Sequence, residues 1–86
     1  MNICFLMGKI ISEINFKFMI QGKNKSIAIF QIEVENKTII TVKGYDEIAD
    51  YCYEQLKKTD YVIIQSLLNS KGEIEIIEIE KQEKIL

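Results

Sequence analysis

The stretch SIAIFQIEVENKTIITVKGY, residues 26–45, limits what this chain can fold into more than any other. Phe30, Ile32 and Val34 fall on one parity of the run Ile27 to Val34, and Ile29, Gln31, Glu33 and Glu35 on the other. From Thr38 to Lys43 the apolar parity is Ile40 and Val42, with Lys37, Ile39, Thr41 and Lys43 opposite. A period of two is that of a pleated strand, whose successive side chains point to opposite faces. The polar link Glu35-Asn36-Lys37 is then a tight hairpin turn. One face of the hairpin covers a core and the other is mixed polar.

The flanks extend the β pattern. Ile3 to Ile11 is rich in β-branched and aromatic residues, with Cys4, Leu6, Gly8 and Ile10 on one face and Ile3, Phe5, Met7 and Lys9 on the other. Both faces are largely apolar, which fits a strand covered on both sides or one whose outer face meets a partner. A mid-strand glycine such as Gly8 suggests a bulge or bend. Phe16 to Ile20 reads as a further strand, and Gln21 to Lys25 as a turn. After Gly44 the period becomes helical: Ile48, Ala49, Cys52 and Leu56 share a face between Tyr45 and Lys58, with acids early and Lys57 and Lys58 late, as the helix dipole favours. Val62 to Leu68 and Glu73 to Ile79 are the last strands, joined through Asn69-Ser70-Lys71-Gly72. Ile74 and Ile76 change parity to Ile77 and Ile79, a phase slip that predicts a bulge. The expected class is therefore all-β with one helix. It forms a single domain over 1–80, followed by a short charged tail at 81–86. A five-stranded OB-fold barrel fits this order; an α+β sandwich fits the periodicity as well.

Composition excludes several functions. No histidine or tryptophan occurs, so a histidine-based active site and an indole stacking platform are both ruled out. The eleven basic residues are all lysine. A net charge of −2 weighs against a strong polyanion binder. The charge is segregated, however. Residues 1–43 hold six lysines and three acids, residues 44–86 five lysines and ten acids, a split that can mark a basic and an acidic face. Cys4 and Cys52 have neither zinc nor redox spacing and read as reduced, partly buried thiols. The apolar start is interrupted by Asn2 and Lys9, unlike a leader peptide, and no run approaches a membrane span, so a cytoplasmic protein is expected. The series Glu73, Glu75, Glu78, Glu80 is read as solvent-side alternation. No catalytic residue, metal site, cofactor or small-molecule substrate is expected, and the chain is read as no enzyme.

Five segments in order carry a resemblance. MNICFLMGKI is similar to the opening of the bacterial single-stranded-DNA-binding protein family, with its early Asn and its glycine within the first strand. FKF at 16–18 resembles the family's apolar–Arg–aromatic stretch, and IAIFQIEV at 27–34 its Val-Ala-x-Phe-x-Leu-x-Val strand. VKGY at 42–45 with Ile48-Ala49-Asp50 resembles its entry to the helix. LKKTDYVIIQSLL at 56–68 follows its Leu-x-Lys-Gly-Asp-x-Val segment, with Thr59 and Ser66 where the family has glycines. The chain looks like a minimal or divergent member lacking the acidic C-terminal tail, nearer to the small primosomal OB proteins, and a role in replication is what this implies.

The resemblance implies binding of single-stranded DNA, with RNA as the other candidate. Such a groove needs positive charge for phosphates and flat side chains for bases. The family's strand-3 aromatics fall near Lys37 and Lys43 here, so charge outweighs stacking. The candidate residues are Lys9, Lys17, Lys25, Lys37 and Lys43, with Phe18 and Tyr45 as stackers. Phe18 has the parity of Phe16 and Ile20, which also suits the core. Ile3, Phe5 and Met7 are the expected homodimer or homotetramer interface, because the family pairs its first strand between subunits. The acidic pI near 5.1, Glu33 and Glu35 support a different role, a protein-interaction module that has lost nucleic-acid binding.

Overall fold

The computed structural model describes residues 2–83. Its elements are β1 (Ile3–Ile10), β2 (Asn15–Phe18), β3 (Ser26–Glu33), β4 (Ile39–Tyr45), α1 (Glu47–Gln55), β5 (Tyr61–Leu68) and β6 (Ile74–Gln82), with a 3-10 turn at Glu35–Lys37. The strands pair in the order β1-β5-β6-β4-β3-β2, and an additional β1–β3 pairing closes the ring. Five strands thus form a closed barrel, the OB fold. β2 pairs with β3 at the end where Ser26 to Ile29 lie, while β1 pairs with β3 at Ile32 and Glu33. β1 and β2 therefore act as one strand bent away from the middle of β3.

The hairpin forms as its alternation dictates. Ala28, Phe30, Ile32 and Val42 are buried, and Phe30 lies directly across from Val42. Ile10, Val62, Ile64 and Ile76 complete the barrel interior. Asn36 and Lys37 take left-handed backbone angles in the turn, and the Val34 N–H donates to the Thr38 carbonyl at 2.9 Å to close it. The predicted bulge is present: Gln65 pairs with Glu78 but Ser66 with Ile76, leaving Ile77 unpaired. Gly8, by contrast, sits in unbroken register with β5 and marks no bulge. Its role is close approach, since a Cβ there would lie 2.5 Å from the Glu33 carbonyl oxygen.

α1 is shorter at both ends than the periodicity predicts. Asp46 precedes it with φ 55° and ψ −117°, and its carboxylate does not cap its own helix. It instead accepts the Lys25 N–H at 2.6 Å, which ties the β2–β3 turn to the helix start. The helix buries Ala49 and Cys52, with Leu56 at its C-terminal boundary, against one end of the barrel. Burial pushes the Cys52 thiol up to about 12. Cys4 departs from the expected partial burial: it is exposed, with Sγ 3.2 Å from the Ser66 hydroxyl, and both cysteines are free. β6 runs on to Gln82 because Lys81 and Gln82 continue the pairing with Val62 and Tyr61. The expected tail therefore starts inside a strand, and its last three residues lie outside the described ones. Among the described residues no helix is long and apolar enough to cross a membrane.

Candidate nucleic-acid interface

Register places Lys17, Tyr45 and Lys43 on one outer surface, that of β2, β3 and β4. Lys17 is opposite Ile27, which is opposite Tyr45, and the next row of that parity is Asn15, Ile29 and Lys43. Farther along lie Gln31 with Thr41, and then Lys9, Glu33 and Ile39. At the strand rise of about 3.3 Å per residue, the Ile27 and Glu33 rows are roughly 20 Å apart. The lysines are therefore not one cluster. Lys17 and Lys25 lie at one end, and Lys9 and the turn residue Lys37 at the other. Lys43 stands between them on the side facing β6.

Lys17, Lys25 and Lys37 are exposed, and none of them enters an ion pair among the described residues. Lys9 is half-buried opposite Glu33. Lys23 and Lys25 border the surface formed by Asp46, Glu47 and Asp50, so part of their field is offset. The charge split along the sequence thus partly remixes in space.

Phe18 is not core, and it borders the outer sheet face in a concavity shared with Lys17, Ile27 and Ile29. It is 80% exposed, follows Phe16 toward the helix side, and meets it edge-on with centroids 5.1 Å apart. Phe16 in turn packs 4.7 Å from Tyr53. The helix covers Phe16 but ends its cover there, which leaves Phe18, Met19 and Ile20 as an exposed apolar tip. Tyr45 keeps its place on the sheet face, half-buried.

Lys43 holds the largest departure from expectation. Its Nζ forms an ion pair with Glu73 Oε2. The Tyr45 hydroxyl donates to Glu73 Oε1 at 3.2 Å, and Asn69 Nδ2 donates to the same oxygen at 2.9 Å. Glu73 is thus no solvent-side residue of an alternating strand; three donors converge on it. The Lys43 ammonium and then the Asn69 amide hold its carboxyl down at about 2. The Glu73 hydrogen bond raises Lys43, while Tyr45 is raised chiefly by burial and then by the Glu73 charge. Sequence spacing could reveal the Asn69–Glu73 turn but not its partner, because β4 and β6 meet in parallel at Lys43 and Glu75, a non-local crossing.

This network makes stability depend on acid pH. A carboxyl with a lowered folded value stabilises fully above its ordinary value and loses that contribution as pH falls toward the folded one. For Glu73 the window runs from 4.5 down to about 2. Wild type should therefore lose more stability across that window than Glu73→Gln, with the two denaturation curves converging at its acid end. Parallel pH profiles for the two proteins would count against the network.

β1 pairs with β5 along Ile3 to Lys9 but with β3 only at Lys9 and Ile10. Its second edge is unpaired from Ile3 to Gly8 among the described residues. Ile3, Phe5 and Met7 are 47%, 71% and 66% exposed on its outer face, beside Leu67 and Ile63.

No protein-family model and no curated protein sequence matches the chain. Solved structures do. The SSB domain of a Synechococcus sp. protein superposes with a TM-score of 0.80 at 15% identity, covering 93% of this chain and 94% of that one. The wild-type single-stranded DNA binding protein from Thermus aquaticus gives 0.85 at 20% identity over 100% of this chain, which spans 42% of that protein. The small single-stranded DNA-binding protein from Streptomyces coelicolor gives 0.76 at 16% identity, covering 93% and 91%. The barrel with its single helix is the fold these proteins share.

Proposed function

We propose that this chain is a small OB-fold protein that binds single-stranded DNA without marked sequence preference, through lysines on the β2–β4 face, and that it works as a homo-oligomer without catalysis in the cytoplasm. RNA would meet the same surface. The observation that carries this is the fold, matched over almost the whole chain by proteins named for single-stranded DNA binding. The exposed lysines along that face supply phosphate contacts, and Tyr45, with Phe18 at the Lys17 end, offers aromatic rings there. Stacking contributes about 1–3 kcal/mol per base, and so few rings predict modest affinity governed by charge.

Replacing Lys17, Lys25 and Lys37 together by alanine should weaken binding of a labelled oligonucleotide by tenfold or more in fluorescence polarisation. It should also flatten the log–log salt dependence by roughly 2, because each lost single-strand phosphate contact removes about 0.7. An unchanged affinity would contradict the lysine face.

The oligomer contact proposed is β1 against β1 of a second copy. A free strand edge beside an exposed apolar row invites strand pairing, and pairing with a second copy covers both. Sedimentation should show wild type as a dimer or larger and Phe5→Glu as a monomer. A monomeric wild type would refute this contact.

A second reading, a protein-interaction module that has lost nucleic-acid binding, draws on one observation: the central lysine of the face, Lys43, is already neutralised by Glu73.

A further inference from the structure

We propose that Lys43, Tyr45 and Asn69 form a phosphate subsite on the β2–β4 face, and that Glu73 occupies it as a tethered competitor which a bound strand displaces. The inference rests on the single-strand-binding reading above and adds the location and control of its central contact.

The geometry has three parts. The Lys43 ammonium, the Tyr45 hydroxyl and the Asn69 amide come from two strands and a turn, yet all aim at one carboxylate. Donors gathered from separate elements around an oxyanion are what a phosphodiester oxygen needs. The site also lies between the Lys17/Lys25 end and the Lys9/Lys37 end, where the lysine track is otherwise interrupted. Finally, the competitor can leave without unfolding the hairpin. The Asn69 N–H donates to the Glu73 carbonyl at 2.9 Å, the Glu73 N–H to Asn69 Oδ1 at 3.0 Å, and the Gly72 N–H to the Asn69 carbonyl at 3.0 Å. These contacts, none of which uses the Glu73 side chain, hold the turn with Gly72 at φ +79° whether or not that side chain points at Lys43. Rotation of that side chain alone frees the three donors. Glu75, whose carboxylate lies 3.4 Å from Asn69 Nδ2, is the other acid facing the site and would keep a strand contact there weak.

Glu73→Gln removes the competing charge and keeps the shape. Its affinity for a labelled single strand of about 30 nucleotides should rise about five- to tenfold over wild type, the scale of one net hydrogen bond. Its salt slope should steepen by about 0.7. Glu78→Gln makes the same change in net charge at an exposed position outside the network and should move affinity less than twofold. Adding Lys43→Ala to Glu73→Gln should abolish the gain. An independent readout uses the unaltered protein: the Glu73 carboxyl carbon, followed by NMR against pH, should titrate at its depressed value in the free protein and return to the ordinary carboxylate range when saturated with oligonucleotide.

Equal or weaker binding by Glu73→Gln, when wild type binds, would overturn the competitor role, as would a Glu73 titration unmoved by oligonucleotide. A gain that persists without Lys43 would overturn the subsite. Absence of binding by both wild type and Glu73→Gln at low salt would instead strike the single-strand reading itself, and this inference would fall with it.

Discussion

Truncating Phe30 to alanine is expected to cost about 3–5 kcal/mol, the range for removing a fully buried aromatic ring. Phe30 is the largest side chain buried in the barrel, opposite Val42, in one cluster with residues of β1, β5, β6 and α1. No neighbouring loop can collapse into the void, because strands close the barrel around it. A domain of this size has only about 4–13 kcal/mol of total stability at ~0.05–0.15 kcal/mol per residue, so the variant should sit near its unfolding midpoint at moderate urea. Phe18→Ala, which removes the same ring from an exposed site, should change stability by less than about 0.5 kcal/mol. Similar urea midpoints for the two variants would contradict the assigned core.

Gly8→Ala should be the most damaging of the small substitutions. The added methyl would lie 2.5 Å from the Glu33 carbonyl oxygen, 3.0 Å from its carbon and 3.2 Å from Val34 Cγ1. The first two are main-chain atoms, so β1 and β3 must separate, and they do so one residue from Lys9↔Glu33 and Ile10↔Ile32, the pairs that close the barrel. Overpacking of this kind costs about 1–3 kcal/mol, and here the upper end is expected. Hydrogen exchange should quicken first at the β1–β3 closure, with β5–β6 amides less affected. Uniform exchange rates across both seams would mean that Gly8 does not guard the closure.

These two residues show what the sequence made legible. Phe30 announces itself through strict alternation with Ala28 and Ile32, since a strand's side-chain period is fixed by its geometry. The bulge at Ile77 was visible for the same reason, as a break in parity. Gly8 was visible as an anomaly, but its cause was not: close approach depends on which strand arrives opposite, and β3 is more than twenty residues away. Phe18 failed differently. Its parity is that of a core residue, but α1 covers only as far as Phe16, and parity carries no information about where cover ends. The outward parity of Lys17 on β2 and of Lys43 on β4 was legible. The central contact of the candidate surface was not, because the Lys43–Glu73 pair is created by the parallel β4–β6 crossing that no local pattern encodes. An acid at 73, read alone, is a solvated strand residue; in the barrel it silences a lysine.

Met7, at the end of the apolar row of β1, borders Lys9, Glu33 and Glu35, so the proposed β1 contact adjoins the Lys9 end of the proposed strand path.

The most direct test of the central claim is a polarisation titration of wild-type protein against a labelled single strand of about 30 nucleotides at two salt concentrations, about 50 and 200 mM, with a duplex of equal length alongside. Three to four phosphate contacts at ~0.7 each predict a log–log slope near −2 to −3, with the single strand preferred over the duplex. Absence of binding at the lower salt, or an affinity insensitive to salt, would contradict it.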